Sequence, residues 1–472
     1  MNVKSSLWIV VMAVSITACN IPKMVGKDVS QVVPPSFSGS TDSTNLAAIK
    51  WQEYFDDPNL IALIDTALKN NQELNILAKE IEIDKNEIQI RKGEYLPFVS
   101  LGAAAGIDKA GRYTWDGLSE EDLKANPDKG PKHIGDYLAV GMASWELDIW
   151  KKLHNAKKAA ALRYLATTEG RNFAKTSIVA EIASSYYELV GLENLLEVIN
   201  QNINIQKNAL QLVRFEKEAA KVSQLAVNRF EAQLLNTENL QYDIKQRIVE
   251  TENRINFLTG RFPQKIKTSS ANLVELNLSQ PKSGVPSQLL ANRPDIKQAE
   301  FALEAAKLDV SIARANFYPS VRLTAGLGFN AFNPAYLINP VSILYNLSGD
   351  LVAPLVNKNA IKANYSNANL KQINAVYNYE RSILTAYIDV VNELSRIENY
   401  QHSFEVKSKE VDILTQSVSI SSNLFSSARA DYIEVLLTQR EALNSKIELI
   451  ELRLKQFQAK VSVYRALGGG WR

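Results

Sequence analysis

The sequence predicts an α+β chain assembled from two copies of one unit: a helix, a pair of strands and a helical hairpin of unusual length. Three observations predict it. A segment around Pro97 recurs at a constant offset of 222 around Pro319. Strand-like alternation follows each of these prolines. Beyond the second strand pair, the 113 residues from Leu355 to Leu467 contain neither glycine nor proline.

Composition narrows the function before any motif does. The 472 residues are 46% hydrophobic and 22% charged, which is the balance of a folded protein. Lys+Arg is 53 against Asp+Glu 51, a net charge of +2, so the basic surplus expected of a nucleic-acid-binding surface is missing. The single cysteine, Cys19, excludes an intramolecular disulfide and a multi-cysteine metal site. His133, His154 and His402 are scattered without metal-ligand spacing, and the four methionines form no cluster. No cofactor is expected.

The N-terminus reads as an address. Lys4 is the only charge before an apolar run from Leu7 to Ile16, too short to span a bilayer. The run closes with Ile16-Thr17-Ala18-Cys19, which resembles the lipobox of bacterial lipoproteins. Residues 1–18 are then a signal peptide, Cys19 the lipidated residue, and 19–50 a lipid-anchored extension. Multiple acyl chains on one residue anchor stably, since each buried methylene contributes about 0.8 kcal/mol. Asn20 is not the aspartate that marks inner-membrane retention in enteric bacteria, so the outer membrane is expected.

The repeat occupies the rest. Tyr95-Leu96-Pro97-Phe98-Val99-Ser100-Leu101 and Phe317-Tyr318-Pro319-Ser320-Val321-Arg322-Leu323 share aromatic-x-Pro-x-Val-x-Leu. The same offset relates Lys85 to Lys307 and Ile90 to Ile312 upstream, and Gly106 to Gly328 downstream. A duplicated unit explains this, with the first repeat over 51–280 and the second over 281–472. After Pro319, Val321, Leu323, Ala325, Leu327 and Phe329 alternate with Arg322, Thr324, Gly326, Gly328 and Asn330. That period of two marks a strand with one apolar and one wet face. Strands are expected at about 96–107 and 136–148, where Leu138, Val140 and Met142 alternate, and at about 318–332 and 341–356.

Helical hairpins are expected at about 151–259 and 357–467. Leu443, Ile447, Ile450, Leu454, Phe457, Val461 and Tyr464 step by four and three, a heptad seam. Val227, Phe230, Leu234, Ile244, Ile248, Ile255 and Leu258 repeat it, with polar gaps at Thr237, Gln241 and Thr251. Each stretch reverses once, at Ala219–Ser223 and at Ser426–Asp431, where Ser or Asp can cap the returning helix. Pro294 suits the first turn of the helix that restarts the second copy.

No later run of 18 apolar residues exists, so a bilayer crossing by the mature chain must use strands. Four strands cannot close a barrel and would leave their edges unsatisfied in lipid. Oligomerisation follows if the strands lie in a membrane, and a trimer would supply twelve.

Several stretches resemble the TolC-like outer-membrane efflux channels, in the lipoprotein branch that serves drug- and metal-export pumps. They are the lipobox at Cys19, Trp51–Leu60, Ser144–Trp150, Leu258-Thr259-Gly260, Asn292–Glu300 and Tyr464–Trp471. The resemblance implies a homotrimer whose twelve-stranded β-barrel continues into a long periplasmic α-helical barrel. It sits in the outer membrane of a Gram-negative bacterium. The implied partners are outer-membrane lipid, a periplasmic adaptor (membrane fusion) protein and an inner-membrane RND or similar transporter. The implied function is a passive exit duct and not an enzyme.

The same resemblance places Asp431 and Glu434 at the narrow periplasmic gate. They stand at i and i+3 on one helix face, where threefold symmetry would triple their charge. The adaptor-docking tips are Ala220, Val222 and Ser223 on the first hairpin and Ala428 and Arg429 on the second. Alanine at 220 and 428 and Leu437 depart from the family's usual turn glycines and gate aspartate. Glu146 and Asp148 read as a helix-start acid pair and not a catalytic one. Phe98, Tyr137, Trp145, Tyr318, Phe329 and Phe332 are candidates for aromatic girdles. A structural coiled-coil envelope lipoprotein is the alternative; it accounts for Cys19 and the helices but not for four alternating strands.

Overall fold

A computed structural model describes residues 21–24, 26–30, 33–37, 44, 46–109, 134–269, 272–276, 284–427 and 429–472. The signal segment, Cys19, the span 110–133 with Tyr113 and Trp115, and Ala428 lie outside the described residues.

The element order is doubled. The first copy has helices α1 (Trp51–Tyr54), α2 (Pro58–Asn70) and α3 (Gln72–Glu94), strands β1 (Phe98–Asp108) and β2 (Ile134–Leu147), then helices α4 (Lys152–Glu218) and α5 (Gln224–Leu258). The second has α6 (Gln288–Asn292), α7 (Pro294–Ala315), β3 (Ser320–Ala331), β4 (Ile343–Val352), α8 (Asn359–Ser426) and α9 (Tyr432–Ala466). At 67 and 68 residues, α4 and α8 are each about 100 Å long. α5 and α9 are both 35 residues and lie 208 apart, not 222. The constant offset therefore holds only as far as the first strand of each pair. It drops by 14 because the β1–β2 connection spans 109–133 and the β3–β4 connection only 332–342.

The described residues form two compact units. One takes Glu82–Leu165 and Phe301–Val376 with the described part of Met1–Asp28; the other takes Val29–Ile81, Ala166–Glu300 and Tyr377–Arg472.

The first unit holds an antiparallel sheet of order β1-β2-β3-β4. β1 and β3 start at the residue directly after each repeated proline, two residues later than expected, since proline has no amide to give a ladder. β2 ends at Leu147, one residue before the expected limit, because the Asp148 carboxylate accepts from the Leu153 and His154 amides at 2.9 and 2.8 Å, capping α4. Pairing fixes the faces. Leu101, Gly141, Leu327 and Tyr345 form one row, and Val99, Ala143, Ala325 and Leu347 the next, so this face is apolar. The opposite face carries Ser144 beside Thr324 and Ser348, and Glu146 beside Arg322 and Asp350. Leu138, Val140 and Met142 lie on this second, mostly polar face, against Asn330, Gly328 and Gly326. The apolar face of β2 is instead Tyr137, Ala139, Gly141, Ala143 and Trp145. Gly328 is required there, since a Cβ would stand 2.2 Å from the Ala139 carbonyl oxygen. Phe98 also falls on the polar face, opposite Ser144, which removes it from an apolar girdle. Tyr137, Trp145 and Phe329 do lie on the apolar face.

The strand-to-helix junction clamps both copies of the repeated motif. Trp145 Nε1 donates to the Tyr95 carbonyl at 2.9 Å, and Trp150 Nε1 donates to the Pro319 carbonyl at 2.7 Å. The Trp150 ring stacks on Tyr318 at 4.5 Å, and Tyr95 stacks on His154 at 4.4 Å.

In the second unit four of the signature stretches meet, those at 51–60, 258–260, 292–300 and 464–471. The Tyr54 and Tyr464 rings stack at 4.0 Å; the Tyr464 hydroxyl donates to the Ile49 carbonyl at 2.6 Å and the Tyr54 hydroxyl to the Lys460 carbonyl at 2.8 Å. Asn71 Nδ2 donates to the Leu258 carbonyl at 2.9 Å. Tyr186 donates to Asp57 Oδ2 at 2.6 Å, and burial, then that carboxylate, pushes its phenol up to about 12. Arg293, 5% exposed, forks onto both oxygens of Asp295 at 3.0 and 2.7 Å and donates to the Ala466 carbonyl at 2.9 Å. Burial alone would lower its pKa, but Asp295 and Asp389 together hold it above the ordinary value. Gly468, at φ +91, lets the C-terminal turn approach the Asn292 backbone, to which Trp471 Nε1 donates at 3.2 Å.

Removing one member of a buried ion pair strands the other. Arg293→Ala is expected to cost about 3–5 kcal/mol, read as a lowered denaturant midpoint of the helical circular-dichroism signal. Arg293→Lys is expected to recover only part, because an ammonium cannot reproduce the two-pronged contact.

Candidate functional site

The candidate site is the pair of hairpin tips. α4 ends in a Schellman turn: the Lys221 amide donates to the Glu216 carbonyl and the Ala220 amide to the Lys217 carbonyl, both at 2.9 Å. Ala220 takes the left-handed position, φ +56, which costs an L-residue with a Cβ about 1–2 kcal/mol. At the second tip the Arg429 amide donates to the Leu424 carbonyl at 2.8 Å, the same six-residue closure. Ser223 stands at the N-cap of α5 but its side chain makes no capping bond. Asp431 stands at the N-cap of α9, and its Oδ1 accepts from the Ile433 amide at 3.3 Å.

One apolar cluster knits the tips together. It holds Leu210 and Val213 of α4, Ala226, Val227 and Phe230 of α5, Phe425 of α8 and Val435 of α9, with Val222, Tyr432 and Leu436 packed on it. So Val222 anchors inward, whereas Ala220, Ser223 and Arg429 are exposed. Asp431, extended at the N-cap, and Glu434, in the first turn of α9, are both exposed, and Leu437 follows them at 38% exposure. The offset of 208 puts Ser223 opposite Asp431 and Ala226 opposite Glu434. Ala226 is buried in the cluster, so the acidic pair belongs to the second hairpin alone.

Sequence reasoning missed the bare helix faces. Exposed apolar side chains recur at intervals of seven: Ile76, Ile83 and Ile90 on α3; Leu235, Tyr242 and Val249 on α5; Leu370, Tyr377 and Leu384, then Val406, Ile413 and Ile420, on α8. The spacing was present in the sequence, but only packing separates a covered seam from an open one. Among the described residues no helix is long and apolar enough to cross a membrane, and no cluster of His, Cys, Asp and Glu could hold a metal.

A two-faced sheet joined to paired long hairpins defines an outer-membrane channel fold. The outer membrane efflux protein family model matches residues 63–261 and 285–469, and the chain belongs to that family. It is 28% identical over 444 residues to the solvent efflux pump outer membrane protein SrpC of Pseudomonas putida, covering 92% of this chain and 91% of that one. It is 26% identical over 451 residues to the probable outer membrane lipoprotein SilC of Salmonella typhimurium, covering 93% of each. Among solved structures, CusC superposes with a TM-score of 0.83 at 22% identity over 96% of this chain and 100% of that one. The open state of the Neisseria gonorrhoeae MtrE outer membrane channel gives 0.82 at 23% identity, over 96% and 98%. The chain is thus an outer-membrane protein.

Ala220→Gly is expected to relieve the strained turn by about 1 kcal/mol and to slow exchange of the Lys221 amide about fivefold, measured by hydrogen exchange on the intact protein.

Proposed function

We propose that the chain is the outer-membrane exit duct of a tripartite efflux system and works as a homotrimer. The observation that carries the reading is the sheet: four strands, one apolar face, and edges β1 and β4 each paired on one side only among the described residues. Because each copy supplies an even number of strands, β4 of one copy meets β1 of the next antiparallel, as every pair within the sheet does. The two edges match, at 10 and 11 residues. Twelve strands at about 4.8 Å spacing and a tilt near 40° close a barrel roughly 25 Å across, wide enough for solutes. The apolar face meets lipid; Glu146, Arg322, Asp350 and Thr324 line the bore. The heptad stripes on α3, α5 and α8 are covered by the neighbouring copies, closing an α-helical barrel on the periplasmic side.

Cys19 carries the lipid anchor, a reading supported by its motif and by the lipoprotein relative. Ala220, Val222, Ser223, Ala428 and Arg429 mark the tips that dock a periplasmic adaptor, which links the duct to an inner-membrane RND or similar transporter. Asp431 and Glu434 ring the closed end, where like-charge repulsion favours cations and opening. Relatives are named for solvent, toluene and pyoverdine efflux or export. One architecture serving such different cargo agrees with a passive conduit whose selection is made at the pump.

Light scattering of the purified mature protein, corrected for detergent, is expected to give three times the 52.6 kDa chain less its signal, about 150 kDa. A stable monomer or dimer would leave the strands unable to close and would refute the duct. Replacing Asp431 and Glu434 together by Ala is expected to raise conductance and weaken cation selectivity in planar bilayers. Unchanged current and reversal potential would remove both from the gate.

A further inference from the structure

The β3–β4 connection carries a surface that the exit-duct reading leaves without a role. From Phe332 to Gly349 the chain has no charged residue. The connection is built rather than slack. Asn333 and Asn339, each followed by proline, cap the 3-10 turns Pro334–Tyr336 and Pro340–Ser342, accepting from the Ala335 amide at 3.0 Å and the Val341 amide at 2.9 Å. The Ser342 hydroxyl donates to the Tyr336 carbonyl at 2.8 Å. The amides of Tyr336, Leu337, Asn339 and Ser342 also donate within the loop, and Pro334 and Pro340 have none to satisfy. On this frame Ile338 is 86% and Val341 92% exposed, beside exposed Phe332 and Tyr336 rings whose centroids are 5.8 Å apart. The β1–β2 connection, at the same end of the sheet, has the opposite composition, with ten charged residues from Lys109 to Lys132.

We propose that the β3–β4 connection is a foot seated in lipid, at the boundary of acyl chains and headgroups in the outer leaflet, and that it sets the depth of the sheet. The inference rests on the barrel reading. Lipid is the occupant the observations favour. The loop's apolar surface runs on into the lipid-side face of the sheet, because Ile343 opens β4 opposite Phe329, on the face of Leu327, Tyr345 and Leu347. No charge interrupts that run. Six amides are satisfied inside the loop, which lowers the cost of seating irregular backbone at the headgroup boundary, short of the hydrocarbon itself. Phe332 and Tyr336 are aromatic side chains of the kind that settle at such a boundary. In water the same surface would leave branched aliphatics hydrated with no partner.

The test uses the full mature chain in phosphatidylcholine vesicles with or without acyl-brominated lipid. Ile338→Cys, Leu347→Cys and Ser427→Cys are each labelled with the fluorophore NBD, and the parent chain labelled in parallel gives the background from Cys19. Expected are blue-shifted emission and about a twofold loss to brominated lipid at 338 and 347, with neither at the hairpin-tip site 427. Quenching of 347 by lipid with 338 open to aqueous iodide would overturn the foot and leave the barrel standing. A 338 probe shielded from both quenchers would overturn it in favour of cover by another protein segment. Failure of brominated lipid to reach 347 would bring down the barrel reading, and the foot with it.

Discussion

Hydrogen-bonding groups on the outer edges of β1 and β4 constrain everything else in this molecule. A sheet with one apolar face belongs against lipid, yet lipid offers nothing to an unpaired amide or carbonyl, and each one left there costs several kcal/mol. Within one chain the edges cannot meet, because four strands do not close. The same deficit recurs along the helices. α3, α5 and α8 carry apolar side chains every seventh residue on faces the chain itself leaves bare. A seven-residue period suits a helix that packs sideways against a neighbour along its length, not one that covers a compact core. Strand edges and helix stripes thus make one demand, and ring closure by identical copies answers both.

The stretches that identify the family turn out to be mechanical. Trp51–Leu60, Leu258–Gly260, Asn292–Asp295 and Tyr464–Trp471 are spread along more than 400 residues of sequence, yet they converge in the second unit through the Tyr54–Tyr464 stack, the Asn71–Leu258 bond, the Arg293–Ala466 bond and the Trp471–Asn292 bond. This is where the chain begins its first helices, turns between repeats and ends. A buried guanidinium that forks onto Asp295 and also holds the last turn of α9 ties the start of the second repeat to its end. Such a site tolerates little substitution because removing any partner leaves a desolvated polar group. Signature and chemistry are different things here: the recognisable residues hold the frame, and the proposed gate and docking tips lie elsewhere.

Much of the architecture was legible in sequence because its determinants are local. Proline and glycine are absent where helices run long, and Pro97 and Pro319 mark the strand starts. Both hairpin turns were found from breaks in the heptad seam, and Asp431 caps as its type suggests. What failed was non-local. The alternation of Leu138, Val140 and Met142 marked a strand correctly but could not say which face they take. Period two fixes parity within a strand, and only register against Gly326 and Gly328 assigns it. Phe98 misled for the same reason. Ser223 sits at its cap position without bonding, and Ala220 accepts a left-handed φ that its side chain opposes, so tertiary context overrode residue preference at the first tip. The exposed stripes on α3, α5 and α8 share their spacing with buried seams, and burial is not written in spacing.

The duplication separates what is fixed from what is free. α5 and α9 agree in length to the residue, and both turns close by the same six-residue hydrogen bond, so the frame is held twice. The surfaces set on it are not. Ser223 and buried Ala226 in one hairpin stand where Asp431 and exposed Glu434 stand in the other, and a connection dense in charge between β1 and β2 stands where an uncharged, self-bonded one joins β3 to β4. A threefold assembly of a twofold-repeated chain would have near-sixfold walls but only threefold chemistry: three acidic pairs at the closed end and three apolar loops at the open one. In the proposed gate, a ring of three acidic pairs would carry half the charge of six, so less repulsion would have to be overcome to hold it shut, while six equivalent turns would keep the wall even. Divergence between the repeats is therefore confined to positions where the frame does not need them to agree.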